Sequence, residues 1–360
     1  MNIIIFGGAF DPIHNGHMNM AIKAQKTLDG EVFFVPAPIS VWKDSSAPIE
    51  DKINMLKLAI KGYKHFHIDR FEADSGKDIN YSIDTVRHYK ELYPKDNLYF
   101  LIGTDQVNKF HKWKEAPQIA ELAQIIFYDR PDEPLQNENI EKFHMQRIEG
   151  DGIVVSSTDY RELKSLKVPD EVLYYIGEHR LYSIKTMQNY ISEKRLDHCL
   201  SVAKLAYEIA KSNKLDHPHR YYAAALFHDV GKLRDVEKER KIVEEYYPEY
   251  SDMPEFSYHQ FVSAFIAEKE FGVTDSSMLN AIKFHATGSD NMDIMAKIVY
   301  AADKIEPTRG FDSKELIKAM MDDAESGFII VLKANKEFLE KHRGDINNPL
   351  TSKCFNKYLG

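Results

Sequence analysis

Short runs of β-branched and aromatic residues alternate with longer amphipathic segments through the first half of this chain, and near Leu181 the alternation stops. The expected strands are Asn2 to Phe6, Val32 to Val35, Phe66 to Ile68, Leu98 to Ile102, Gln124 to Tyr128 and Gly152 to Val155. Between them, Met18 to Leu28, Lys52 to Lys61 and Ser82 to Leu92 carry the spacing of helices with one apolar face. Such a βαβ rhythm predicts an α/β domain with a parallel sheet and helices on both faces. From Lys185 onward, stretches such as "RLDHCLSVAKLAYEIAKSN" and "RYYAAALFHDVGKLRD" read as long helices with hardly any strand. The change predicts an all-α second domain. We place the boundary at residues 182 to 185, giving domains 1–182 and 183–360.

Length and charge narrow the function classes. A chain of 360 residues has room for two ordinary cores. Its formal net charge of -9 argues against a general nucleic-acid binder, while leaving space for local basic pockets that hold small phosphorylated ligands. Only Cys199 and Cys354 occur, so there is no disulfide framework and no CxxC metal motif. The opening apolar run is too short for a secretory signal, and no later stretch has the length of a membrane span. The expectation is a cytoplasmic protein with neither membrane nor nucleic acid as partner. An oligomer is left open.

The segment "GGAFDPIHNGH" follows the first expected strand directly. Gly7 and Gly8 let backbone approach a phosphate at the carboxyl edge of a parallel sheet, and a helix beginning there adds unpaired N–H donors and a partial positive charge. His14 and His17, three apart at that helix start, share a face. Gly16 keeps the face clear of side-chain bulk.

These residues closely resemble the HxGH signature of the nucleotidyltransferase superfamily. Further blocks resemble nicotinate-nucleotide adenylyltransferases: "YSIDTV" at 81–86, "LIGTDQVNKFHKW" at 101–113, "VVSSTDYR" at 154–161 and "VPDEVLYYIGEHRLY" at 168–182. The resemblance implies a Rossmann-like domain in which a mononucleotide phosphate attacks the α-phosphorus of ATP, pyrophosphate leaves and a dinucleotide forms. It implies that His14, His17 and a mobile Lys43 act on the polyphosphate, with Mg²⁺ accompanying ATP. Gly7, Gly8, Phe10, Gly16, Gly103 and Asp105 would line the ATP site. Ser156, Ser157, Thr158 and Arg161 would form a second phosphate cradle. Nicotinate mononucleotide would be held by Asp84, Thr85 and Trp113, with Trp113 stacked on the pyridine and Thr85 beside the carboxylate. The sequence departs from the family's pattern at Val41-Trp42-Lys43 and at Thr104.

The second half carries histidines and carboxylates of the kind that fill catalytic di-metal sites: His198, His228, Asp229, His259, His285 and Asp303. Their order resembles the HD-domain phosphohydrolases, and "HATG" with "ADKIEPTR" is similar to the bacterial branch that cleaves diadenosine tetraphosphate symmetrically. That resemblance implies one or two divalent metals, expected to be iron. His198, His228, Asp229 and Asp303 would hold the first, His259 and His285 would complete the second, and Asp229 and Lys232 would serve the reaction itself. Arg195, Lys232 and Arg309 would meet phosphates. The sequence has Tyr258-His259-Gln260 where the family usually has Leu-His-Gly. The combined expectation is a bifunctional enzyme. The alternatives are an adenylyltransferase with a non-catalytic nucleotide-sensing HD module, or an HD hydrolase for another nucleotide.

Overall fold

The computed structural model describes residues 1–38, 47–77, 79–128, 135, 137–150, 152–161, 165, 167–232, 235–342 and 348–360. Two compact units emerge, one built from Met1–Arg161 and Lys167–Tyr182, the other from Ser183–Gly360.

In the first unit six parallel strands form one sheet: β1 Asn2–Gly8, β2 Glu31–Pro36, β3 Phe66–Ile68, β4 Asn97–Gly103, β5 Gln124–Tyr128 and β6 Gln146–Ile148. Their order is β3-β2-β1-β4-β5-β6. Ile3, Ile4 and Ile5 are all fully buried, as a strand covered on both faces requires. The helices α1 (Asn15–Leu28), α2 (Ile49–Ala59) and α3 (Ser82–Leu92) each bury one apolar face; Ile83, Val86 and Tyr89 of α3 join Ile3, Ile5 and Phe100 of the sheet in one core. The crossovers leave β1 and β4 in opposite directions. Such a topological switch opens a crevice at the carboxyl ends of the two central strands. Gly7, Gly8 and Gly103 end those strands.

The sixth strand is a correction. It is Gln146–Ile148, and residues 152–155 are irregular. Pairing with β5 sets this: Tyr128, the last residue of β5, is matched by Ile148, so the chain has already passed the sheet's edge when it reaches Gly152. Ile153 and Val154 are therefore exposed and carry "VVSS" above the carboxyl edge.

The second unit is helical. The ligand candidates come from the helix Glu193–Ser212, the end of Pro218–Phe227, the start of Tyr258–Lys269, the turn after Ser276–Lys283 and the last turn of Ile294–Ile305. His228 and Asp229 do not lie within a helix as their setting in "RYYAAALFHDVGKLRD" suggests: the helix stops at Phe227 and His228 caps it. Gly231 explains the turn. A Cβ there would fall 2.2 Å from the Ser263 nitrogen, so only glycine lets this backbone touch the helix that carries His259. Among the described residues, no helix is long and apolar enough to cross a membrane.

Candidate functional sites

At the mouth of the first crevice, His14 caps α1 and pairs with His17 through the backbone. His14 Nδ1 accepts from the His17 amide and His17 Nδ1 accepts from the His14 amide, both at 3.3 Å. A nitrogen that accepts from N–H carries no proton, so both neutral rings hold theirs on Nε2. The imidazoles stack at 3.6 Å with an interplanar angle of 19°. Gly16 relieves the stack of crowding, since a Cβ would sit a tight 3.0 Å from His14 Nδ1 and 3.1 Å from Val155 Cγ1. Phe10 is buried, with its ring edge-on to His17 at 5.1 Å and packed on Phe6 and Phe34; it buttresses the histidine from the core side. Gly8 leaves room for that ring, which a Cβ would approach to a tight 3.1 Å.

The segment 156–161 docks onto the loop before α1. Ser157 Oγ donates to the Pro12 carbonyl at 3.0 Å, and Arg161 donates to the Asp11 carbonyl at 2.5 Å and to Thr158 Oγ1 at 3.2 Å. Ser156 donates from both its amide and its hydroxyl to Asp159, which donates its own amide back. These hydroxyls thus hold the segment against the histidine loop, with a reciprocal cap at its start. Gly103 lies at the end of β4 with half-buried Asp105 just beyond it. Thr104 is fully buried and its hydroxyl donates to the Tyr128 carbonyl, tying the end of β4 to that of β5. Lys43, with Val41 and Trp42, lies outside the described residues.

Two buried charges here carry no signal in the sequence. Lys52 of α2 is fully buried and donates to the Pro38 carbonyl at 3.1 Å; burial pushes its pKa down, Asp11 pulling it back. Glu72 accepts from the Thr85 hydroxyl at 2.6 Å, and burial raises its pKa against that hydrogen bond. The Thr85 proton is therefore already directed at a carboxylate of the protein. Asp84 pairs with Lys77 at 3.4 Å. Trp113 is half-buried, edge-on to Phe100 at 5.9 Å and tilted against Phe110 at 5.1 Å. Asp11, within the motif itself, could have been noticed: its carboxylate accepts from Tyr182 at 2.8 Å and from the Ala47 amide at 3.3 Å.

In the second unit, His198, His228, Asp229, His259, His285 and Asp303 converge. Three overlapping triplets have ligand atoms within 4.8 Å of one another: His198, His228 and Asp229; His228, His285 and Asp303; Asp229, His259 and His285. Asp229 divides its oxygens between two groups. Oδ2 lies 3.6 Å from His228 Nε2, while Oδ1 lies 3.4 Å from His259 Nε2 and 3.5 Å from His285 Nε2. Asp303 Oδ1 is 3.1 Å from His198 Nε2 and 3.6 Å from His228 Nε2.

The electrostatics follow from burial opposed by charge. Burial alone would raise the Asp229 carboxyl, yet His228, His285 and His259 hold it well below the usual carboxylate range. Asp303 behaves alike, with Lys304, His198 and His228 outweighing burial. Burial pushes His259 down to about 3 and also lowers His285, whereas Asp229 and Asp303 keep His228 above its usual value despite burial. Asp229 Oδ1 is buried with no hydrogen-bond partner, an orphan acceptor facing imidazole nitrogens. Mixed imidazole and carboxylate donors around such an oxygen fit a divalent metal. Among the described residues four cations reach the same carboxylates: Arg195 meets Asp229 Oδ2 at 2.7 Å, Lys232 lies 3.9 Å from it, Arg309 meets Asp303 Oδ1 at 2.5 Å and Lys304 meets Asp303 Oδ2 at 2.8 Å.

The departure at Tyr258-His259-Gln260 has a structural role. Gln260 Oε1 accepts from the amide and hydroxyl of Thr287, two residues beyond His285, and Tyr258 donates to the Ser251 carbonyl. The first tie braces the His259 helix against the His285 turn, and the second holds it to the segment that precedes it.

Comparison with known proteins places these sites in context. The Cytidylyltransferase-like family matches residues 5–163 and the HD domain family residues 195–308. A probable nicotinate-nucleotide adenylyltransferase/Ap4A hydrolase of Mycoplasma genitalium is 34% identical over 348 residues, covering 92% of this chain and 97% of its own. Its counterpart in Mycoplasma pneumoniae is 30% identical over 344 residues, covering 92% and 98%. A solved structure described as a predicted HD superfamily hydrolase involved in NAD metabolism, from Clostridium acetobutylicum, is 30% identical, covers 49% of this chain and 94% of its own, and has a TM-score of 0.44.

Proposed function

This chain belongs to the family of nicotinate-nucleotide adenylyltransferase/Ap4A hydrolases, and we propose that it carries both activities, one in each unit. In residues 1–182 the phosphate of nicotinate mononucleotide attacks the α-phosphorus of ATP, the bond to the β-phosphate oxygen breaks, and pyrophosphate and deamido-NAD are released. No protein nucleophile is required, so the work is positioning two anions and meeting the charge that builds between them. The Nε2–H edges of His14 and His17 supply donors for that charge, and Mg²⁺ accompanies ATP. Arg161 and Lys43 are the cations assigned to the phosphates. Trp113 offers its indole to the pyridine ring.

In residues 183–360 one molecule of water cleaves diadenosine tetraphosphate to two ADP. His198, His228, Asp229 and Asp303 would hold one divalent metal, and His259 and His285, sharing Asp229, a second; iron is the proposed identity. Metal of this kind, when bound, supplies an activated water and neutralises phosphate charge. Arg195, Lys232 and Arg309, now against the ligand carboxylates, are placed to turn to the phosphates of an incoming nucleotide. A reducing cytoplasmic setting suits two buried free thiols.

The observation that carries this reading is the assembly of the paired histidine cap and the six-residue ligand cluster in one chain whose relatives match it nearly end to end. The test supplies the purified protein with ATP and nicotinate mononucleotide, and separately with diadenosine tetraphosphate plus iron, manganese or magnesium. Deamido-NAD with pyrophosphate and ADP are the expected products. Binding of the tetraphosphate with no cleavage under any metal would replace the hydrolase by a sensor.

A further inference from the structure

Three of the four imidazoles in the ligand cluster have their outer nitrogen fixed by backbone. His228 Nδ1 lies 2.6 Å from the Ala225 carbonyl oxygen, His259 Nδ1 2.8 Å from that of Phe256 and His285 Nδ1 2.7 Å from that of Ile282, each three residues back. A carbonyl only accepts, so each of these rings carries a proton on Nδ1 and turns Nε2 inward. His198 differs. It lies inside the helix Glu193–Ser212, where the carbonyls behind it are used by helical hydrogen bonds. Its Nδ1 meets Glu306 Oε1 instead, at 3.1 Å.

Glu306 is 1% exposed and held from its far side. Its Oε2 accepts from Ser201 Oγ at 2.7 Å and from the Thr308 amide at 2.8 Å, and its Oε1 accepts from Thr308 Oγ1 at 2.7 Å. The amide cannot reverse its role, so the Oε2 edge must remain an acceptor. We propose that Glu306 is the positioning residue for His198, doing with a buried carboxylate what backbone carbonyls do for the other three rings: it keeps the proton on Nδ1 and presents Nε2 to a divalent metal beside His228 and Asp303. This rests on the metal site argued above.

Glu306→Gln separates that role from simple packing. The carboxamide has nearly the same shape, but its oxygen must face the Thr308 amide, which turns its NH2 toward His198. The ring then accepts at Nδ1 and carries its proton on Nε2, pointed at the cluster. Loss of such an outer carboxylate weakens metal binding on the order of 10- to 100-fold. The test uses the full chain, labelled with ¹⁵N-histidine and stripped of metal, at about pH 8, above the ordinary histidine range. The ring resonances of His198 are identified by their loss in His198→Gln. A proton on His198 Nδ1 in the wild type and an Nδ1 without one in Glu306→Gln are expected, together with weaker Co²⁺ binding in competition with a chromophoric chelator. A metal-free wild type whose His198 Nδ1 carries no proton overturns the proposal without recourse to any Glu306 variant. So does unchanged Co²⁺ affinity in a folded Glu306→Gln. A wild type that shows Nδ1–H yet binds neither Co²⁺, Mn²⁺ nor Fe²⁺ supports the role of Glu306 in orienting the ring and rejects the metal site itself.

Discussion

His14 and His17 lie ring on ring at 3.6 Å, each accepting the other's backbone amide through Nδ1, so neither can turn without breaking the cap of α1. A stacked pair with both Nε2–H edges fixed is preorganised to donate, and preorganised donors cost nothing to align as charge develops. His17→Ala is expected to lower turnover in adenylyl transfer by a factor on the order of 10² to 10⁴. Steady-state kinetics with ATP and nicotinate mononucleotide check this, and near-normal turnover would remove His17 from the reaction.

Legibility in the sequence followed the range of the interaction. Five strands of the sheet and the first helix show as local periodicity, and the glycines after β1 mark the turn. The sixth strand lies before the segment whose composition suggests it: "GIVV" reads as a strand, while strand pairing at a sheet edge depends on where β5 ends. The metal-ligand candidates are legible because histidine and aspartate are unusual choices for buried positions, and folding brings all six together. Their supports are not. Glu306 meets His198 from 108 positions away, and although it lies within "ADKIEPTR" that segment does not name its partner; Glu72 meets Thr85 through a loop and nothing around it distinguishes it from a surface acid. The "SST" hydroxyls show the opposite case: a motif legible as a phosphate cradle also performs ordinary capping and docking.

Trp113 keeps its ring half-exposed while Phe100 and Phe110 hold it from the core side. Aromatic stacking contributes roughly 0.5 to 1.5 kcal/mol beyond burial, so Trp113→Ala should raise the KM for nicotinate mononucleotide by up to about ten-fold. The KM for ATP should stay near its wild-type value, with Trp113→Phe intermediate. If backbone amides near Thr85, whose own hydroxyl is given to Glu72, bind the carboxylate, the amide analogue should be at least about ten-fold poorer as acceptor, because those donors would lose their partner. Equal rates with acid and amide would show that the pocket near Thr85 and Glu72 does not select charge.

Glu72 links this pocket to pH. Its folded pKa lies above the ordinary carboxylate value, chiefly through burial, so the folded state binds this proton more tightly than the unfolded chain does. Its contribution to stability is therefore present below the unfolded value and lost as pH rises through the raised folded value. Glu72→Gln keeps an acceptor for Thr85 and has no proton to lose. It should unfold at higher denaturant than the wild type near neutrality, the difference shrinking as pH falls below the carboxylate range. Urea midpoints for the transition that ATP shifts provide the measurement. Parallel pH curves for the two proteins would mean that Glu72 is paired as well in the fold as in water.

Asp229 is the residue on which the second unit turns. Its Oδ2 faces His228 and its orphaned Oδ1 faces His259 and His285, so one carboxylate joins both halves of the ligand cluster. Asp229→Ala should therefore strip bound metal, read by elemental analysis, and abolish the release of ADP from diadenosine tetraphosphate. Removing a buried anion also leaves Arg195 without its partner at 2.7 Å and the imidazoles facing one another, so Asp229→Asn is the gentler companion: nearly the same volume, one oxygen kept, charge lost. Both variants should form deamido-NAD from ATP at close to the wild-type rate, because the histidine cap and its supports lie in the other compact unit. Loss of both activities in a folded Asp229→Asn would show that the two chemistries share one assembly; full hydrolysis in that variant would show that the carboxylate's charge is not what holds the metal.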